Sequence, residues 1–344
     1  MSHSLLLQRL EEIGINQYLV QWIHSYLSSR SQSVVVGGEE SPVLPVISGV
    51  PQGSVLGPLL FIIFINDIAH QISFGSSISL FADDIALYRP IHSDMDFSIL
   101  QRDVNAIVSW INNSLLSLQP AKCFSMLVSR RRSPSSPPSF SVQGTPLSHV
   151  SSVKYLGILI NSDLSWSPHV AKLCSKVRKL VGLLYRQFYK HADSTTLLTL
   201  YKSFIRPHLE YGSIVWDPYL ARDVDALEKV QKFALRVCLK NWSSDHNQLY
   251  IQSQIPALSD RRKQCRLSHL FKIVNDLTIF PEAPLQYRTI NYNNRFSHAL
   301  QLQNIAARTS QFQNSFFPRT IAQWNTLPCS TASSPSVYVF KSNL

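Results

Sequence analysis

Charge is sparse in this chain. Only 15% of its 344 residues are Asp, Glu, Lys or Arg, against roughly 25% in ordinary soluble proteins. Acidic residues are the scarcer kind, 21 against 32 Lys and Arg, which leaves a formal charge of +11. The deficit is uneven: residues 1–120 hold 4 basic and 10 acidic residues, residues 121–344 hold 28 and 11, and the balance turns from −6 to +17. Long apolar runs are also missing. The longest, Val55 to Ile65, is broken by Gly57 and Pro58 and stops at Asn66-Asp67, short of the roughly 20 residues a bilayer crossing needs. No membrane-spanning helix is expected. Met1-Ser2-His3-Ser4 starts no charged-then-apolar leader, so an intracellular protein, nuclear or cytoplasmic, is expected. The five cysteines are odd in number, widely spaced and without a CxxC pair, which argues against a disulfide or zinc framework.

Core-forming residues are not lacking. At 45% hydrophobic the chain is globular, with length for about two or three domains. Leu6, Leu10 and Ile13, then Leu19, Ile23 and Leu27, recur at helical spacing, which predicts two amphipathic helices divided at Gly14 to Asn16. Ser33–Val36 and Val43–Ile47 read as strands around a Gly37-Gly38 turn. Leu59 to Ile68 reads as a helix apolar on nearly all sides and therefore buried, with Ser54 as its cap. Ile78–Ala82 and Ile85–Tyr88 form a hairpin meeting at Asp83-Asp84. Phe97 to Leu118 keeps helical spacing until Pro120, and Lys122–Val128 and Tyr155–Ile160 read as strands. Arg130–Ser139 is a Pro/Ser-rich connector. Beyond it the pattern is helical, over Val170–Phe188, Leu197–Ile205 and Leu227–Val237, and no glycine follows Gly212.

Two constellations carry chemistry. Asp83 and Asp84 are adjacent carboxylates that repel unless a cation or solvent relieves them; they fit an oxygen-ligand metal site or a solvent-facing turn. Upstream, Ser48-Gly49-Val50-Pro51-Gln52-Gly53-Ser54-Val55-Leu56-Gly57-Pro58 is a glycine-punctuated loop that opens onto a helix start. It fits a backbone cradle for phosphate or a plain strand-to-helix turn.

In this order the residues resemble a family. Gly-Val-Pro-Gln-Gly-Ser-Val-Leu-Gly-Pro (49–58), Phe64-Ile65-Asn66-Asp67, Phe81-Ala82-Asp83-Asp84 and Tyr155-Leu156-Gly157 are similar to the B, C and E motifs of the reverse transcriptase domain of LINE-type, non-LTR retrotransposons. Trp22-Ile23-x-x-Tyr26-Leu27-x-x-Arg30, Arg206-Pro207-x-x-Glu210-Tyr211-Gly212 and Phe316-Phe317-Pro318-Arg319-Thr320-x-x-x-Trp324-Asn325-x-Leu327-Pro328 resemble its flanking segments. The fold this implies is α+β: a partial right-hand polymerase palm with an antiparallel sheet and helices over residues 1–160, a helical thumb-like region over 161–258, and a C-terminal helical or irregular tail over 259–344.

The resemblance also implies roles. Asp83 and Asp84 match the carboxylates that hold Mg²⁺, with Mn²⁺ as an alternative ion, in a two-metal scheme that activates a primer hydroxyl and stabilises leaving pyrophosphate. Gln52, Gly53, Ser54 and Phe81 match positions lining the incoming nucleotide and template base. Lys122, in a Leu118-Gln119-Pro120-Ala121-Lys122 stretch similar to the D motif, is either the proton donor to pyrophosphate or a strand-edge lysine facing water. Tyr155, Leu156 and Gly157 match primer contacts. Lys172, Lys176 and Lys179 on one predicted helix, and Lys229, Lys232 and Arg236 on another, suit phosphate tracking or a merely soluble face. Arg130-Arg131-Arg132 and Arg261-Arg262-Lys263 fit nucleic-acid contact or an import signal, but both runs are short and read first as solvated loop charge.

His3, Leu5 and Leu6 resemble the close of the family's A motif, so the chain is expected to begin just after that motif's aspartate and to be a poor polymerase alone. The expected partners are an RNA template, a DNA primer and deoxynucleoside triphosphates, with no membrane and no inferable protein partner. The competing reading is a non-catalytic nucleic-acid-binding remnant of a decayed element.

Overall fold

The computed structural model describes residues 1–129, 139–242, 245–280, 283–288 and 298–344. The connector expected at Arg130–Ser139 lies almost wholly outside them. The chain divides into two compact units, one of Met1–Leu127 with Arg131–Val150, the other of Val128–Arg130 with Ser151–Leu344.

The first unit opens with α1 (His3–Glu12) and α2 (Gln17–Leu27), where the leucine and isoleucine spacing predicts them. Asn16 starts α2 by accepting the Tyr18 N–H at 2.9 Å. α3 (Leu56–Ile65) buries Leu60, Phe64 and Ile65 and continues as a 3₁₀ turn to Gln71. Its expected burial on all sides is corrected here: Leu59 and Ile62 are more than half exposed, because the α1, α2 and α4 side chains cover one face. β1 (Ser77–Phe81) and β2 (Asp84–Tyr88) form the expected hairpin, with Phe81 paired to Asp84 across the turn. Ile78, Leu80, Ile85 and Leu87 pack on the core, so alternation sends Phe81 and Asp84 to the other face. α4 (Asp94–Asn113) begins with a Ser93/Asp96 capping box and buries Ile107, Trp110 and Ile111; it ends well before Pro120.

In the second unit, the strand expected at 155–160 is two strands, β3 (Ser152–Tyr155) and β4 (Ile158–Asn161), turning at Leu156-Gly157. α5 (Ser167–Phe188), α6 (Ser194–Leu200) and α7 (Ala221–Leu239) follow. They share a core that includes Val177, Val181, Leu197, Tyr201, Trp216, Leu227 and Ala234. α8 (Leu258–Val274), α9 (Phe316–Trp324) and α10 (Val337–Ser342) enclose a second core of Leu270, Phe271, Ile321, Trp324 and Phe340. The expected strand at 122–128 shrinks to Phe124–Ser125, parallel to Ser148–His149. A continuous sheet is not seen among the described residues: strands join as six two-stranded pairs. Most of these strands are two residues long, too short to recruit a neighbour. No helix among the described residues is long and apolar enough to cross a membrane.

Candidate active site and nucleic-acid groove

The glycine loop of the first unit is anchored at its start. Gly49 N–H donates to the Met1 carbonyl at 2.8 Å, and its own carbonyl lies 2.9 Å from His3 Nε2. Gly49 and Gly53 take positive φ, 85° and 78°, with open space where a Cβ would stand. Ser54 Oγ donates to the Pro51 carbonyl at 2.7 Å and accepts the Gly57 N–H at 3.1 Å. The hydroxyl is thus engaged within the loop; the helix begins at Leu56 with Val55, not the expected Ser54, at its N-cap position, and Val55 makes no side-chain cap bond. Gly57 is required sterically, since a Cβ there would meet Ser54 Oγ at 2.9 Å. Gln52 and Gly53 stay exposed, with side-chain amide and backbone free to meet a ligand.

Asp83 and Asp84 sit at the β1–β2 tip, both exposed, with no side-chain hydrogen bond or ion pair among the described residues. Ala82, the first turn residue, takes φ 51°, a conformation that turn types normally reserve for glycine. Two hard, exposed carboxylates are donors of the kind Mg²⁺ takes, so the pair fits part of a magnesium site. Among the described residues, no group of three or more His, Cys, Asp or Glu converges on a metal position. Phe81 is exposed beside them. Lys122 ends a short 3₁₀ turn (Pro120–Lys122) and is exposed; it stands on no strand, contrary to the sequence reading.

What holds this hairpin was not legible in the sequence. Arg89, just after β2, donates to Asp96 Oδ1 at 2.8 Å and to the Phe74 carbonyl at 2.9 Å. Asp103 accepts from Ser73 N–H at 3.0 Å, from Ser73 Oγ at 2.6 Å and from Ser76 Oγ at 2.5 Å. Both aspartates belong to α4, so both strands are tied to one helix at the open end of the hairpin, opposite the tip. Arg89, then the His92 and Ser93 backbone N–H groups, hold the Asp96 carboxyl well below the usual carboxylate range. Burial pushes the Asp103 carboxyl up, but the Ser73 and Ser76 hydrogen bonds outweigh it and leave it lowered. Arg9, another residue the periodicity left unremarked, pairs with Asp67 and lies over the Phe64 and Trp110 rings, 5.3 and 5.2 Å from their centroids.

In the second unit a groove of about 270 Å³ collects several expected contacts. Gly157, Lys172 and Lys176 line it together with Lys154, His169, His208 and Tyr211, and no acidic side chain does. The β3–β4 turn has Leu156 at φ 45° and Gly157 at φ 84°, the doubly positive pattern of a type I′ hairpin. Tyr211 holds that turn by donating its hydroxyl to the Leu156 carbonyl at 3.1 Å, and a Cβ on Gly157 would meet its ring at 3.2 Å. Trp216 Nε1 donates to the Tyr211 carbonyl at 2.7 Å. Gly212, at φ 63°, lies where a Cβ would stand 2.7 Å from Ile158. The Tyr-Gly of one motif is thus packed on the Leu-Gly of another. His169 accepts the Leu159 N–H at Nδ1, 3.2 Å away, and burial with Lys172 alongside lowers its pKa. Burial and Lys176, 3.2 Å from Nδ1, lower that of His208. Tyr155 is half-buried on β3.

The other cations are elsewhere. Lys179 is exposed on α5 outside the groove; on α7, Lys229 is exposed, Lys232 lies over the Tyr250 ring at 5.9 Å, and Arg236 is half-buried. Arg261-Arg262-Lys263 is corrected outright: it is helical, in α8. Arg261 pairs with Glu210 through two guanidinium nitrogens, Nε and Nη2, and Arg262, 1% exposed, pairs with Asp217 at 2.6 Å. The reason is charge complementarity inside the fold, invisible along the sequence.

Residues 1–160 match the family described as reverse transcriptase (RNA-dependent DNA polymerase). The chain is similar to the RNA-directed DNA polymerase from the mobile element jockey of Drosophila melanogaster, 28% identical over 257 residues, covering 71% of this chain and 27% of that protein. It is also similar to the Pol polyprotein of the type-1 retrotransposable element R2 of Popillia japonica, 28% identical over 228 residues, 61% of this chain and 36% of that protein. The probable RNA-directed DNA polymerase from transposon X-element of Drosophila melanogaster is 27% identical over 225 residues, 62% of this chain and 24% of that protein. The chain thus matches about a quarter of the length of the first of these relatives.

Proposed function

We propose, from the match of residues 1–160 to the reverse transcriptase family and from relatives that are RNA-directed DNA polymerases of non-LTR retrotransposons, that the chain is the palm and thumb-like part of such a polymerase. In this reading residues 1–160 form a partial palm, 161–258 a thumb-like region and 259–344 a tail. The observation that carries it is the exposed Asp83-Asp84 tip of a hairpin whose two strands are tied to α4 at the open end, in the same unit as the anchored Gly49–Gly57 loop.

Asp83 and Asp84 would hold Mg²⁺, or Mn²⁺ in its place, which when bound supplies charge neutralisation and a more acidic primer hydroxyl. Gln52 and Gly53 offer an amide and unobstructed backbone to a deoxynucleoside triphosphate and its template base, and Phe81 an apolar surface beside the tip. Ser54, with its hydroxyl occupied, shapes the loop rather than contacting substrate. Lys122 is exposed and able to give a proton to pyrophosphate. The Tyr155-Leu156-Gly157 hairpin and Lys172 and Lys176 would hold the DNA primer or RNA template by its phosphates. Lys179, Lys229, Lys232 and Arg236 would extend that contact along other faces.

Two carboxylates on one turn, joined by no third His, Cys, Asp or Glu among the described residues, are few fixed ligands for the two ions of such a scheme. Residues 1–344 assayed as such are therefore expected to bind a primed RNA template but to extend it little with Mg²⁺ or Mn²⁺. Extension that vanishes in Asp83→Ala would overturn the expected inactivity and keep the site. Extension indifferent to Asp83→Ala would remove the site, and absence of template binding would remove the function. The groove without acidic lining supports a second reading, a nucleic-acid-binding protein without catalysis.

A further inference from the structure

The cavity that neither reading uses lies against α8. It measures about 330 Å³, and Glu210, Arg261, Arg262, Ser268, Lys272 and Lys341 are among its lining residues. That volume sits at the small end of ligand pockets.

Its donors outnumber its acceptors. Arg262 spends its Nε on Asp217, but its buried Nη1 has no hydrogen-bond partner among the described residues, and neither has the buried Oγ of Ser268. Native proteins rarely leave such groups unmet. The nearby carboxylates are taken. Glu210 is occupied by Arg261, and Asp217 is shared among Arg262, Arg266 and Arg319. Lys272 and Lys341 have no ion pair among the described residues. An occupant must therefore be an acceptor, carry more than one negative charge or several oxygens, and be small. A carboxylate has two oxygens and one charge; a free phosphate has more of both, a backbone phosphodiester has the same charge with four oxygens, and arginine with lysine is the usual set that binds either.

We propose that this cavity binds a phosphate group, from a nucleic-acid backbone or from a free phosphate. The site stands independently of any polymerase activity, since none of its residues belongs to the Asp83-Asp84 tip or to the groove beside Tyr211. Cys265 lines the cavity and is exposed, and Cys329 is exposed outside it, which gives a reporter and an internal control.

The test is alkylation of the full chain by iodoacetamide, followed peptide by peptide. Inorganic phosphate or a short single-stranded RNA should slow modification of Cys265 and leave Cys329 unchanged. In the double variant Lys272→Ala/Lys341→Ala, which removes two cations without touching the buried Arg262–Asp217 pair, protection should need at least about tenfold more ligand. Protection by RNA alone assigns the site to a nucleic-acid backbone; protection by both assigns it to phosphate groups in general. No protection by either, or protection unchanged in the double variant, overturns the proposal.

Discussion

Asp217 has the least replaceable side chain in the second unit. It is buried, and Arg262, Arg266 and Arg319 all point at it, so one negative charge stands against three positive ones. Burial, with Arg319 alongside, lowers the Arg266 guanidinium to about 9, still protonated at neutral pH. Removing the carboxylate would strand two buried cations, Arg262 and Arg266, in a low-dielectric interior beside the partly exposed Arg319. Breaking one partner out of a buried ion pair costs about 3–5 kcal/mol. Asp217→Asn is accordingly expected to lower the unfolding free energy by about that amount, read from urea denaturation followed by the fluorescence of Trp216 and Trp324. A change under 1 kcal/mol would mean that the arginines find other partners. The sequence offered Asp217 and the arginines as unrelated charges 45 to 102 residues apart. Only folding makes them one group.

Among the elements, the β1–β2 hairpin shows how a motif is positioned. Alternating apolar residues and the adjacent aspartates are enough to predict two strands and a turn, and the register agrees. They do not say what anchors the hairpin at its open end, which is α4 through Asp96 and Asp103. Both carboxyls have folded pKa values below their unfolded ones. The stability they contribute is therefore fully present above the ordinary carboxylate pKa, near 4, and is lost as pH falls through the folded values. The first unit should become easier to unfold with urea as pH drops below about 4, monitored by Trp110 fluorescence in the full chain. Asp103→Asn should be less stable at pH 7 and show a shallower acid dependence. An unchanged pH profile would mean that the clamp does not act through ionisation. The α3 helix teaches the opposite lesson. Its composition promised burial on every side, yet Leu59 and Ile62 face outward, because burial depends on which neighbours arrive and not on the residues alone.

For the molecule as a whole, the sign change from −6 to +17 along the chain now has a local meaning. The acidic part contains the Asp83-Asp84 tip, and the basic part contains a groove with Lys154, Lys172 and Lys176 and no carboxylate. Neutralising phosphates releases counterions, so binding of the full chain to primed RNA should weaken steeply with salt, linearly in logarithms. Lys172→Ala/Lys176→Ala should weaken binding and flatten that slope by about 2, one for each lost phosphate contact. Fluorescence anisotropy over a salt series measures both. A slope identical to that of the unaltered chain would place the phosphate contacts elsewhere.

By itself the sequence determined the helices at regular apolar spacing, the hairpin carrying Asp83-Asp84, the glycine loop with its Ser54–Gly57 bond and, through its ordered motifs, the similarity of residues 1–160 to the reverse transcriptase family. These are legible because each is encoded by residues close along the chain: a period, a cap, a turn. The tertiary structure alone decided which cations face a groove and which are spent on Asp217 and Glu210. It alone showed that Tyr211 and Gly212 pack on the Leu156-Gly157 turn, and that Arg261-Arg262 is helix interior rather than loop charge. Electrostatic pairing acts through space over a few ångströms, whatever the separation along the chain, and no local pattern records it.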